Sequence, residues 1–99
     1  MEIIHLSEND NFNELIKKED KVLVDFFANW CGPCKMLAPV LEKTESEIKA
    51  IKVDTDEFED LAREYGVMSI PTLVLIENGK EVKRNIGFID KSSLEKFLN

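Results

Sequence analysis

Basic residues are in short supply in this chain. Thirteen lysines and arginines face twenty aspartates and glutamates, a formal net charge of −7. That balance argues against nucleic acid or an anionic membrane as a partner and favours solubility. There is one histidine, His5. No run is apolar and long enough to cross a bilayer. The opening residues, MEIIHLSEND, lack the basic, apolar and small-residue succession of a signal peptide, which predicts a soluble, cytoplasmic protein. With four glycines and three prolines, no stretch reads as a linker, and there is no repeat or low-complexity segment. The 99 residues, 43% of them hydrophobic, suit one domain spanning 1–99 and leave no room for two.

What is present alternates. Ile3 to Leu6 reads as a short strand. Ser7 with Asp10 gives a helix start of the capping-box type, ahead of Phe12, Leu15 and Ile16 on one helical face. Val22 to Ala28 is nearly all apolar, as a central strand covered on both faces requires. Leu37, Val40, Leu41, Thr44 and Ile48 continue a helical spacing, with Pro39 inside it as an expected kink. A strand follows from Ala50 to Thr55, and Phe58, Leu61, Ala62 and Tyr65 mark a third helix stopped by Gly66. Thr72 to Ile76 and Val82 to Ile86 pair through Asn78-Gly79, a strong hairpin signal. Leu94, Phe97 and Leu98 give the stripe of a last helix. The order β-α-β-α-β-α-β-β-α predicts a three-layer α/β/α domain: a mixed sheet of about five strands between four helices.

The only two cysteines, Cys31 and Cys34, stand three apart in NWCGPCK. As a structural staple the pair is weak. So short a loop contributes about 2 kcal/mol in the chain-entropy model, against about 3 kcal/mol for a fifteen-residue loop. A closed zinc site needs four ligands, and His5 alone joins the thiols, on a different strand. Haem attachment requires histidine where Lys35 stands. Redox chemistry fits the spacing. One thiol ionises and attacks a disulfide, and a second resolves the mixed disulfide. Cys31 follows a strand at the start of a helix, where free N–H groups and the helix dipole favour an anion. Pro33 suits the first turn, where no N–H is needed. Cys34 lies one turn further in, within reach of Cys31. The expected order is an exposed nucleophile, Cys31, and a sheltered resolving thiol, Cys34.

At these residues the chain resembles the thioredoxins. WCGPCK matches their active-site sequence, and VDFFANWCGPCK, KVDTDE, YGVMSIPTL and NGK follow in the family's order, so the likeness spans Ile3 to Leu98. It implies the thioredoxin fold and a cytoplasmic, monomeric protein-disulfide reductase, without cofactor or metal. Such a carrier serves electron transport and cell redox homeostasis, acts on disulfide-containing proteins and is re-reduced by a thioredoxin reductase. It also implies a redox-active Cys31–Cys34 disulfide.

Asp25 interrupts an apolar strand, where a lone carboxylate is costly unless it finds a partner or exchanges a proton. The resemblance places it beneath the dithiol, moving a proton to or from Cys34, with Lys52 as the lysine that approaches it. Pro71 precedes a strand in which it would remove a ladder hydrogen bond. The matching family proline is cis and faces the dithiol, and the residue before it, here Ile70, pairs with extended substrate. Trp30, Gly32, Pro33, Ile70, Pro71, Gly87 and Phe88 then form the docking rim, with Gly32 and Gly87 small enough for a partner's backbone to approach. The acidic run DTDEFED is no EF-hand loop, since Phe58 stands where an oxygen ligand is required and Glu59 where glycine is.

Phe27 replaces a tryptophan frequent in bacterial relatives, Thr55 an often apolar residue, and Met68-Ser69 a basic-and-glycine pair. All three are expected to border the docking surface without touching the dithiol. Two other readings stay open: a non-catalytic binding module or subunit, and an oxidase or isomerase of an oxidising compartment.

Overall fold

A strand with no polar face belongs in the middle of a sheet, and VLVDFF lies there. A computed structural model describes residues 1–99. In chain order the elements are β1 (Ile3–His5), α1 (Phe12–Lys17), β2 (Lys21–Phe27), α2 (Gly32–Lys43), β3 (Lys49–Asp54), α3 (Glu59–Glu64), β4 (Thr72–Glu77), β5 (Lys80–Ile86) and α4 (Lys91–Leu98). The five strands form one sheet in the order β1-β3-β2-β4-β5. The β1–β3 and β2–β3 pairs are parallel, and the β2–β4 and β4–β5 pairs antiparallel. Crossover helices impose the first two and the hairpin imposes the last. No helix is long and apolar enough to cross a membrane.

Strand alternation divides the core between two faces. Val22, Val24 and Phe26 of β2 meet Ile51, Val53, Val74 and Ile76, covered by Phe12 and Ile16 of α1 and Ala62 of α3. Leu23, Ala50, Leu73 and Leu75 point the other way, beneath Leu37 and Leu41 of α2 and Leu94 and Leu98 of α4. Each fully buried leucine contributes roughly 2 kcal/mol of burial, so both layers are held by apolar contact rather than by surface ion pairs. Asp25 and Lys52 fall on the second face by the same alternation, with Asp25 in register with Lys52 on one side and Leu73 on the other.

Local chemistry adjusts several expected boundaries. Asn11, not Ser7, caps α1, its Oδ1 accepting from the Glu14 N–H at 3.0 Å. Ser7 and Asp10 instead close a turn, with the Asp10 carboxylate accepting from the Ser7 N–H and hydroxyl at 2.9 and 3.1 Å. The second helix stops at Lys43: Thr44 is extended, and Ile48 reaches the second core layer from outside the helix. Pro39 lies inside α2. The Asn78-Gly79 turn has positive φ at both residues (51° and 81°), as a two-residue hairpin requires. The strand beyond it starts at Lys80, and its register slips by one residue at Leu75/Ile76.

Candidate active site

The site lies where β2 ends and α2 begins. Cys31 caps α2 in an extended conformation (φ −84°, ψ 114°). Its Sγ accepts the Cys34 N–H at 3.2 Å. Pro33 occupies the first turn, which holds no acidic side chain. Cys31 Sγ therefore meets an orphan helix N–H and the positive end of the dipole, with no carboxylate in that turn to oppose a negative charge. Cys31 and Cys34 are joined in a disulfide, with Cα atoms 5.2 Å apart.

Burial corrects one expectation. Cys31 is no more open than its partner, at 4% exposed against 3% for Cys34. Phe27 and Ile70 pack against the cluster that the two cysteines form with Ala28. An exposed Cys31 is thus not a property of this oxidised form. The Ile70 carbonyl oxygen lies 3.8 Å from Cys31 Sγ. The Ile70–Pro71 peptide is cis. Pro71 is buried and accepts the Gly87 N–H at 2.8 Å on its carbonyl, which ties the Gly87-Phe88 loop to this edge of the site. Gly87 has φ +97°, a backbone conformation that side chains rarely adopt. Gly32 faces open space. Trp30 is 70% exposed, and Phe88 and Met68 also stand open.

Asp25 is 1% exposed, and neither carboxylate oxygen has a hydrogen-bond partner. Desolvation by burial pushes its pKa up from 3.8 to about 6, and the Lys52 charge pulls the other way. Lys52 Nζ is 3.9 Å from Asp25 Oδ2, close enough for Coulomb attraction and too far for a hydrogen bond. The same nitrogen stands 4.4 Å from the centroid of the Phe27 ring. A cavity of about 130 Å³ is lined by Phe27, Ala28, Asn29, Cys34, Lys35, Ala38 and Lys52, so it reaches from Lys52 to Cys34.

Two residues gain importance that the sequence does not announce. Asp56, from the acidic run, accepts the Trp30 indole N–H at 2.9 Å and so restrains that exposed ring. Phe27 packs, with Ile70, against the cluster of Ala28 and the two cysteines, and its ring meets the Lys52 ammonium. No spacing signal marks either, because both contacts cross between separate segments.

Comparison with known proteins agrees with this geometry. The thioredoxin family model matches residues 3–99. A thioredoxin of Chlamydia caviae is 52% identical over 93 residues, covering 91% of this chain and 90% of its own. One from Bacillus subtilis is 48% identical over 85 residues, 82% of each chain. Among solved structures, a mutant thioredoxin from Halobacterium salinarum superposes with a TM-score of 0.91 at 36% identity, covering 98% of this chain and 88% of its own. Oxidised mitochondrial thioredoxin 3 of Saccharomyces cerevisiae gives a TM-score of 0.85 at 39% identity, over 97% and 92%. A paired Cys-Gly-Pro-Cys disulfide on this sheet, matched along almost its whole length, has one consistent reading: the chain belongs to the thioredoxin family and is a thiol–disulfide oxidoreductase.

Proposed function

We propose that the protein reduces disulfides of other proteins through two thiolate attacks, by Cys31 and then by Cys34, and that a thioredoxin reductase returns it to the dithiol. The observation that carries this reading is the position of Cys31 Sγ, an N-cap that already accepts the Cys34 N–H at 3.2 Å. In the dithiol the same N–H and helix end favour the Cys31 thiolate.

The steps balance. The Cys31 thiolate attacks one sulfur of the substrate disulfide; the Cys31–substrate bond forms and the first substrate thiolate leaves. Asp25 takes the Cys34 proton, and the Cys34 thiolate attacks Cys31 Sγ. The Cys31–Cys34 bond forms and the second substrate thiolate leaves; the two released thiolates take up the proton that Asp25 holds and the one that Cys31 gave to solvent on ionising, so Asp25 returns to the carboxylate. Two electrons pass from dithiol to substrate. Lys52 supports the Asp25 carboxylate through its charge. Trp30, Gly32, Pro33, Ile70, Pro71, Gly87 and Phe88 receive the extended segment that carries the disulfide. We assign this work to residues 1–99 acting as one monomeric domain in a reducing compartment such as the cytoplasm.

Reduction of a model protein disulfide, followed as thiol release with a chemical dithiol as the electron source, tests the reading. The wild-type protein should accelerate release catalytically, and Cys31→Ser should fall to the rate of the dithiol alone. Equal rates for the two proteins, with undiminished partner binding by Cys31→Ser, would favour a binding module instead.

A further inference from the structure

Phe27 ends β2 one strand away from Lys52 and two residues beyond Asp25. Asp25 is the register partner of Lys52, so Phe27 is its diagonal neighbour on the same face of the sheet. The lysine is 9% exposed, and its ammonium sits between a carboxylate oxygen at 3.9 Å and the ring centroid at 4.4 Å. No hydrogen bond to the carboxylate holds it there. A partly desolvated ammonium within about 6 Å of an aromatic face is attracted by the ring quadrupole.

The geometry points to Phe27 as a positioning residue, whose ring holds the Lys52 ammonium beside Asp25 and at the cavity that reaches Cys34. This deepens the proton-handling role proposed for Asp25 and rests on it.

Other charged groups give the ammonium alternatives. His5 is its register partner on β1, and Glu42 of α2 shares a groove with His5 and Lys52. Lys35 of α2 lines the Cys34 cavity, and Asp54 of β3 stands opposite Phe27. Lys35, and His5 when protonated, repel the ammonium, while Glu42, Asp54 and solvent attract it. Without the ring, the lysine loses the contact that favours the Asp25 side, and its charge is spread among these competitors. The Asp25 carboxylate then loses part of the field that lowers its proton affinity. It becomes ionised only at higher pH, and the resolving step follows.

Two measurements test this. In the NMR spectrum of the wild-type protein, the Lys52 ε-protons should be shifted upfield of the other lysines by the ring current. The shift should persist in Phe27→Tyr and vanish in Phe27→Leu. Lys52 ε-protons at ordinary lysine positions in the wild type would overturn the proposal, and that reading needs no variant to fold. The second measurement is the pH dependence of single-turnover disulfide reduction. Phe27→Leu should move the lower inflection upward by about half a pH unit, roughly threefold in proton affinity, and Phe27→Tyr should restore it. In a Lys52→Met background, Phe27→Leu should add nothing, and an equal shift there would overturn the proposal. An inflection that disappears in Asp25→Asn but stays put in Phe27→Leu removes the role of Phe27 alone. An inflection untouched by Asp25→Asn removes the proton-acceptor reading itself.

Discussion

Cys34→Ser is expected to turn the protein from a catalyst into a covalent trap. The serine keeps the backbone N–H that Cys31 Sγ accepts at 3.2 Å, so the nucleophile stays activated and still attacks substrate. What disappears is the second thiolate, because a hydroxyl does not ionise in the working pH range. A well-placed intramolecular group acts at an effective concentration of up to about 10⁵ M or more. A millimolar external thiol cannot replace that, so the mixed disulfide should outlive a wild-type turnover by orders of magnitude. Incubation with a disulfide-containing protein, followed by non-reducing electrophoresis and peptide mass spectrometry, should recover an adduct on Cys31. Absence of any adduct would remove the two-step exchange.

The second large effect concerns stability, and Asp25→Asn in the oxidised protein reads it cleanly. Asp25 carries a pKa raised to about 6 by burial in the native state, against 3.8 for the free side chain. Between those values the folded protein holds a proton that the unfolded chain has released. Stability is therefore greatest below 3.8, declines as pH rises towards 6, and stays low beyond it. At about 1.4 kcal/mol per pH unit, the full rise amounts to about 3 kcal/mol. Asparagine keeps the shape and never ionises. The variant should be more stable by about that amount at neutral pH and nearly equal to wild type below pH 3.8. Urea midpoints across the pH range measure this. On the proposed mechanism the same change should slow turnover, since Cys34 would have no proton acceptor. A variant less stable at pH 7 and fully active would mean that Asp25 is a structurally paired acid.

The sheet was legible because its central strands are buried on both faces, which leaves Val22 to Phe27 and Thr72 to Ile76 almost without polar residues. The hairpin was legible because Asn78-Gly79 tolerates positive φ at both positions. Helix ends were less so. Ser7 and Asp10 make hydrogen bonds of the capping kind, but in a turn that precedes the helix, and residue types alone do not separate the two. Ile48 keeps a helical interval from Thr44 and packs against the core layer of Leu37 and Leu41, yet the chain has already left the helix.

At the site, residue types named the chemistry and local spacing placed both sulfurs. Local spacing could not foresee that Cys31 is buried as fully as Cys34 in the oxidised form. Nor does it reveal the Lys52–Phe27 contact, which depends on the register of two strands separated by α2.

The division of labour between the two thiols is tested most directly by site-resolved alkylation of the reduced protein. A brief pulse of iodoacetamide at pH 7, read by peptide mass spectrometry, should label Cys31 well ahead of Cys34. The pH dependence of the Cys31 rate should show a pKa below the roughly 8.5 of an ordinary thiol. Faster labelling of Cys34, or equal labelling with ordinary thiol pKa values at both positions, would contradict the assignment of Cys31 as the nucleophile.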